Sequence, residues 1–115
     1  PARPDLLVLE STYGARLHPN RAQEERRLAE AVAEVVAAGG HCLLPAFALG
    51  RAQEIIAILR AAQRDALIPP FPIAVDGLVR AVCAAYAAIP EALTPSLRRH
   101  IEGGGRPFFG GTDRL

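Results

Sequence analysis

The segment LLVLESTYG, residues 6–14, sets the expected fold class of this chain. Four apolar residues are followed at once by the carboxylate of Glu10, two hydroxyls, a phenol and a glycine. A continuous apolar run of this length is typical of a strand buried in a parallel sheet. The carboxyl ends of such strands open onto the ligand crevice in α/β folds, so Glu10 is predicted to lie at a functional site. A strand that simply reaches the surface there is the alternative.

The composition indicates one small globular domain. The chain has 115 residues, and because 50% are hydrophobic and only 22% charged, it is expected to fold around a single core. No signal peptide is recognised, and Arg60 and Arg80 interrupt the apolar stretches, so we expect a cytoplasmic protein without a membrane partner. Cys42 and Cys83 lack metal-ligand spacing and are predicted to be buried thiols in a reducing compartment.

Strand and helix patterns alternate along the chain. The predicted strands are 5–9, 41–44 and 73–75, and the predicted helices begin at residues 21, 51, 78 and 95. Asn20 is the expected N-cap of the first helix, with Gln23 as its reciprocal partner, and Gly39–Gly40 closes that helix. The order β-α-β-α-β-α-α predicts an α/β fold, a three-layer, mostly parallel sheet flanked by helices. Its strand ends would gather Glu10, residues 47–51 and residues 76–77 at one edge.

Two further features leave alternatives open. Gly50 and Arg51 open a helix whose free N–H groups could attract phosphate, although a solvated helix start explains the same residues. His18, His41 and His100 are too scattered for a metal cluster. Only His18, eight residues after Glu10 in the same loop, is expected to approach the same crevice.

Two motifs taken together resemble the β-CASP metallo-β-lactamase-fold nucleases. They are ESTYG at residues 10–14 with His18 after it, and, beyond Gly39–Gly40, PAFALGRAQE at residues 45–54. IAVDGL at 73–78, Pro90 and RPFF at 106–109 are similar to the archaeal and bacterial branch. These are RNA-processing enzymes of the cleavage and polyadenylation endonuclease type.

The resemblance implies a partial domain and a set of site residues. Residues 1–14 would be the terminal strand and motif A of the metallo-β-lactamase part, and residues 15–115 the first part of the β-CASP domain. Glu10 matches the acidic motif A residue, which implies a catalytic role beside a dimetal centre, hydrogen-bonded to a histidine that acts as general acid. The residues implied in substrate binding, lining the RNA cleft, are Ser11, Thr12, Tyr13, His18 and Arg51.

The resemblance also implies what this chain lacks. The family binds two zinc ions through HxHxDH and further ligands, none of which occurs in this sequence. The full-length protein is therefore expected to be a zinc-dependent ribonuclease acting on single-stranded RNA, with a homodimer as one option. The isolated 115 residues are expected to be inactive.

Two other functions are compatible with the sequence. The chain could belong to a noncatalytic RNA-processing scaffold or interaction module, in which case HxHxDH would be missing from the parent protein. It could instead be a free-standing phosphate- or nucleotide-binding α/β domain, in which case mononucleotides would bind at Gly50–Arg51.

Overall fold

The chain folds as a set of short helices. A computed structural model describes residues 3, 5–103 and 108, with the side chains of Ser96, His100 and Ile101 excepted. Within these residues the helices are α1 (Arg21–Ala37), α2 (Arg51–Arg64), α3 (Leu78–Ala88), a 3₁₀ turn (Pro90–Ala92) and α4 (Pro95–Glu102). All four predicted α-helices are confirmed. None of the described helices is long and apolar enough to cross a lipid bilayer.

Local sequence signals determine where α1 begins and ends. Asn20 has extended backbone angles, and its Oδ1 accepts a hydrogen bond from the Gln23 N–H at 3.2 Å. That bond satisfies one of the N–H groups that the first turn leaves without a helical partner. At the other end Gly39 adopts φ of +77°, and its N–H donates to the Val36 carbonyl at 3.0 Å. The predicted N-cap and the predicted glycine stop are both confirmed.

Helix α2 is central because it contributes to both hydrophobic clusters. In the first cluster, α1 and α2 pack together with the connector that follows α2, through Ala29, Val32, Leu59, Ala62, Ile68 and Phe71. The second cluster joins Ile56 of α2 to Cys83 of α3 and to Phe108. The rings of Tyr86 and Phe108 lie 6.2 Å apart and tilted, which extends this cluster. In α2 the buried apolar residues Ile56 and Leu59 lie on one side of an amphipathic helix.

The predicted parallel sheet is wrong. No β-strand forms in the described residues, so the α/β, three-layer architecture and the gathering of strand ends at a sheet edge are both overturned. The segments 5–9, 41–44 and 73–75 run without helical or strand structure. A strand needs a lateral partner for its N–H and C=O groups, and hydrophobicity alone does not supply one. The side chains of residues 6–9 are 64–86% exposed, so this run is not buried.

The structure consequently has two contrasting regions. We call residues 5–20 the N-terminal arm, because every one of them is exposed. We call residues 21–102, which contain the helices, the helical body. The Cα radius of gyration is 17.2 Å. A compact chain of this length would have a radius of gyration of about 13 Å.

Candidate functional site

The arm turns directly after its apolar run, and Glu10 caps that turn. Its Oε1 accepts a hydrogen bond from the Thr12 N–H at 2.6 Å, and the Gly14 N–H donates to the Ser11 carbonyl at 2.9 Å. Hydrogen bonds from the side chain and then the backbone of Thr12 hold the pKa of Glu10 below its ordinary value. Glu10 is therefore an exposed, ionised carboxylate at neutral pH, and Ser11 and Thr12 are exposed beside it.

An aromatic contact connects this turn to the last residues of the N-terminal arm. The rings of Tyr13 and His18 lie 4.6 Å apart between centroids and are tilted by 37°. His18 in turn lines a cleft of about 560 Å³ between the first turns of α1 and α2. The residues that line the cleft are His18, Pro19, Arg21, Glu24, Glu25, Leu28, Arg51, Glu54, Ile55 and Ile58. The structure thus brings His18 and Arg51 to one cleft, and Tyr13 makes a tilted ring contact with His18.

A shared carboxylate joins the two helices across this cleft. Glu54 of α2 pairs through Oε1 with Arg21 of α1 and through Oε2 with Arg51, each at 2.5 Å. Arg21 also contacts Glu25 at 2.6 Å. The hydrogen bond that Arg21 donates to Glu25, and then the charge of Glu54, raise the pKa of Arg21. Arg51 is therefore ion-paired rather than free, a property that its position in the sequence motif did not reveal.

Gln53 organises the turn that precedes α2. Its side chain is buried, with 4% exposure, and its Oε1 accepts from the Gly50 N–H at 2.8 Å. Its Nε2 donates to the Ala48 carbonyl at 2.9 Å and to the Cys83 sulfur at 3.4 Å. Gln53 is part of the motif at residues 45–54, but the motif did not predict a role for this residue. The signal that could have found it was a glutamine three residues after a helix N-cap, which is the capping-box position.

The remaining predicted residues divide clearly. Cys83 is fully buried as predicted, and burial raises the pKa of its thiol, whereas Cys42 is exposed and its predicted burial is wrong. Cys42 lies in one of the segments that would have been a strand. His41 is exposed, and the side chain of His100 lies outside the described residues, as do residues 106, 107 and 109. In the described part of the chain, no group of three or more His, Cys, Asp or Glu could hold a metal ion.

Similarity to known proteins identifies the class. Cleavage and polyadenylation specificity factor 73 of Drosophila melanogaster is 38% identical over 103 residues, or 88% of this chain and 15% of that protein. Transcription termination factor FttA of Methanothermobacter thermautotrophicus is 37% identical over 93% of this chain and 17% of its own length. An RNase J-like protein of Methanocaldococcus jannaschii is 37% identical over 90% of this chain and 25% of its own length. No protein-family model and no solved structure matches the chain.

These relatives confirm the resemblance carried by residues 10–14 and 45–54. The chain belongs to the β-CASP metallo-β-lactamase family of RNA-processing nucleases. It spans between 15% and 25% of the length of the three relatives, so it corresponds to a segment of them.

Proposed function

We propose that this chain is the β-CASP portion of a zinc-dependent metallo-hydrolase that cleaves RNA phosphodiester bonds. In this proposal residues 1–14 belong to the metallo-β-lactamase part, contain its motif A and supply the catalytic carboxylate. Residues 15–115 form part of the β-CASP domain and close over the active-site cleft. The described residues offer no ligand set for zinc, so two zinc ions would be held elsewhere in the full-length protein.

The observation that carries this proposal is the ionised, exposed Glu10 in a chain similar to RNA-processing nucleases over about nine-tenths of its length. An ionised carboxylate beside an imidazole orients the ring and favours its protonated form. A histidine held in this way can donate a proton to the leaving oxygen. We assign that histidine to a part of the full-length protein outside this chain.

The substrate in this proposal is single-stranded RNA. Ser11, Thr12 and Tyr13 lie on the exposed turn beside Glu10, and His18 and Arg51 line the neighbouring cleft. Hydroxyl, imidazole and guanidinium groups are suitable partners for RNA phosphates and 2′-hydroxyls. A homodimer of the full-length protein remains part of the proposal.

The test is Glu10→Gln in the full-length protein. Gln keeps the size of the side chain and removes its charge, so we expect cleavage of a single-stranded RNA to slow by about 100- to 10,000-fold while RNA affinity is unchanged. The matched control is Glu30→Gln, an exposed carboxylate on α1 that pairs only weakly with Arg26, at 4.0 Å. Undiminished cleavage by Glu10→Gln would rule out the catalytic assignment.

The same assay separates the enzyme from a noncatalytic scaffold. A full-length protein that binds RNA but never cuts it, with or without added zinc, would favour the scaffold. The isolated 115-residue chain is expected not to cleave RNA, because its described residues offer no metal site. Cleavage by the isolated chain that EDTA abolishes would contradict this part of the proposal.

A further inference from the structure

The turn before α2 presents an aromatic ring to solvent on a fixed backbone. Phe47 is 86% exposed, although its carbonyl accepts a hydrogen bond from the Ala52 N–H at 3.3 Å. That bond connects the backbone of Phe47 to the first turn of α2. An exposed phenylalanine on a fixed backbone loses little conformational freedom when it contacts a flat ligand.

Gln53 fixes the same turn from the buried side. Its two side-chain hydrogen bonds to Ala48 and Gly50 hold the two residues that flank Leu49, and its contact with Cys83 connects the turn to α3. A buried amide with its hydrogen bonds made is costly to displace, because each freed polar group would lose its partner. The turn that carries Phe47 is therefore preorganised.

A cation follows the ring along the same turn. Arg51 is exposed and stands at the first position of α2. Its pairing with Glu54 engages one terminal nitrogen, and a guanidinium has five N–H donors in all. Proteins that bind single-stranded nucleic acids combine these two elements, an aromatic face for a base and a cation for the phosphate backbone.

We propose that Phe47 stacks on an unpaired nucleobase of the RNA substrate, with Gln53 as the positioning residue that holds its turn. This inference rests on the proposed function, because it names a contact that the RNA makes with the same protein. The stacking face is tolerant of base identity, since every base has a π face. Phe47 thus contributes affinity for single strands rather than sequence preference.

The experiment measures binding of a short single-stranded RNA to the full-length protein in EDTA, which stops metal-dependent cleavage. Phe47→Ala is expected to weaken binding by about 5- to 150-fold. Phe47→Trp is expected to retain affinity, and Phe47→Leu to lose it, because leucine is apolar but cannot stack. Leu49→Ala is the matched control, an exposed apolar residue on the same turn that should change affinity by less than about twofold.

Two further binding experiments test the contact with the base and the role of Gln53. An oligonucleotide with one abasic site at the stacking position should lose as much affinity as Phe47→Ala does, and Phe47→Ala should then have no additional effect. Gln53→Ala should weaken RNA binding in the wild-type background but not in the Phe47→Ala background. A residue with only a structural role would weaken both equally.

The outcomes are separable. If Phe47→Leu binds RNA as tightly as the wild type, the aromatic ring is not required for RNA binding. The side chain then acts only as an apolar contact with protein, and the stacking proposal is overturned. If Phe47→Ala binds RNA normally, the stacking proposal also falls, while the nuclease proposal stands on the Glu10→Gln result. If the wild-type full-length protein neither binds nor cleaves single-stranded RNA, both proposals are overturned.

Discussion

The N-terminal arm and helix α2 are both rich in large apolar residues, yet they lie in opposite environments. Leu59 of α2 is 3% exposed, whereas Leu6 of the arm is 81% exposed. A helix satisfies its backbone hydrogen bonds internally, and its apolar face then needs only one neighbouring helix. An extended run depends on another segment for every backbone bond. Local hydrophobicity therefore predicts burial reliably for α2 and not for the arm.

The largest effect that should distinguish the two regions is on stability. Leu59→Ala removes a buried side chain from the cluster that α1 and α2 share, and we expect it to lower the free energy of unfolding by about 2–5 kcal/mol. Leu6→Ala should change it by less than about 0.5 kcal/mol, because this side chain is exposed. Urea unfolding followed by circular dichroism measures both.

The result also has a clear contrary outcome. If Leu6→Ala destabilised the chain as much as Leu59→Ala, the arm would be packed against the helical body in solution. The separation of the structure into two regions would then be wrong. If only Leu59→Ala lost circular dichroism at 222 nm, the separation into an arm and a helical body would be supported.

The sequence was sufficient to predict the helices because the signals that begin and end a helix act locally. Asn20 caps α1 through a residue three positions away, and Gly39 ends it through a bond to a residue three positions back. Neither bond requires knowledge of the rest of the fold. The strand predictions failed because residues 5–9 and 41–44 needed partners that local sequence does not specify.

The candidate site was predicted only in part, for a related reason. The motifs identified Arg51 and His18, and the structure places both on one cleft. The motifs did not indicate that Glu54 pairs with Arg21, since those residues are 33 positions apart and belong to different helices. The importance of Gln53 depends on Cys83, which is 30 positions away. Contacts of this kind follow from tertiary structure and not from spacing.

A smaller difference in stability is expected when one glycine from each region is replaced by alanine. Gly50 adopts φ of +83°, and the space that an added Cβ would occupy is open, so Gly50→Ala suffers backbone strain alone. Because ψ is −70° and the Arg51 N–H donates to the Leu49 carbonyl, Gly50 has the strained γ-turn conformation, which costs an alanine about 1–3 kcal/mol; the reduced entropy of the unfolded chain offsets part of this. We expect a net loss of about 1 kcal/mol in urea unfolding.

Gly14 of the arm is the matched control for this substitution. A Cβ there would lie 3.1 Å from the Ser11 carbonyl oxygen, so Gly14→Ala should disturb the local turn. Because the arm does not contribute to either hydrophobic cluster, global stability should stay unchanged. Equal losses for the two variants would show that the arm and the body unfold as one unit.

The smallest effect concerns the titration of Glu10. Its pKa lies below the ordinary value of 4.5, chiefly because of the Thr12 side chain and then the Thr12 N–H. A carboxyl whose pKa is lower in the folded state stabilises that state above the unfolded pKa, and the contribution is lost as pH falls through the folded pKa. The turn at residues 10–14 should therefore open on acidification to a pH below 4.5.

Two substitutions isolate the cause, with the carboxyl signal followed by NMR. Thr12→Val removes the hydroxyl and should raise the pKa of Glu10 toward 4.5, whereas Thr12→Ser keeps the hydroxyl and should leave it lowered. The helical circular dichroism should not change in either variant, because Glu10 and Thr12 belong to the exposed arm. A helix signal that fell with the titration of Glu10 would mean that this turn supports the helical body. An unchanged signal would mean that the turn at residues 10–14 opens without affecting the helical body.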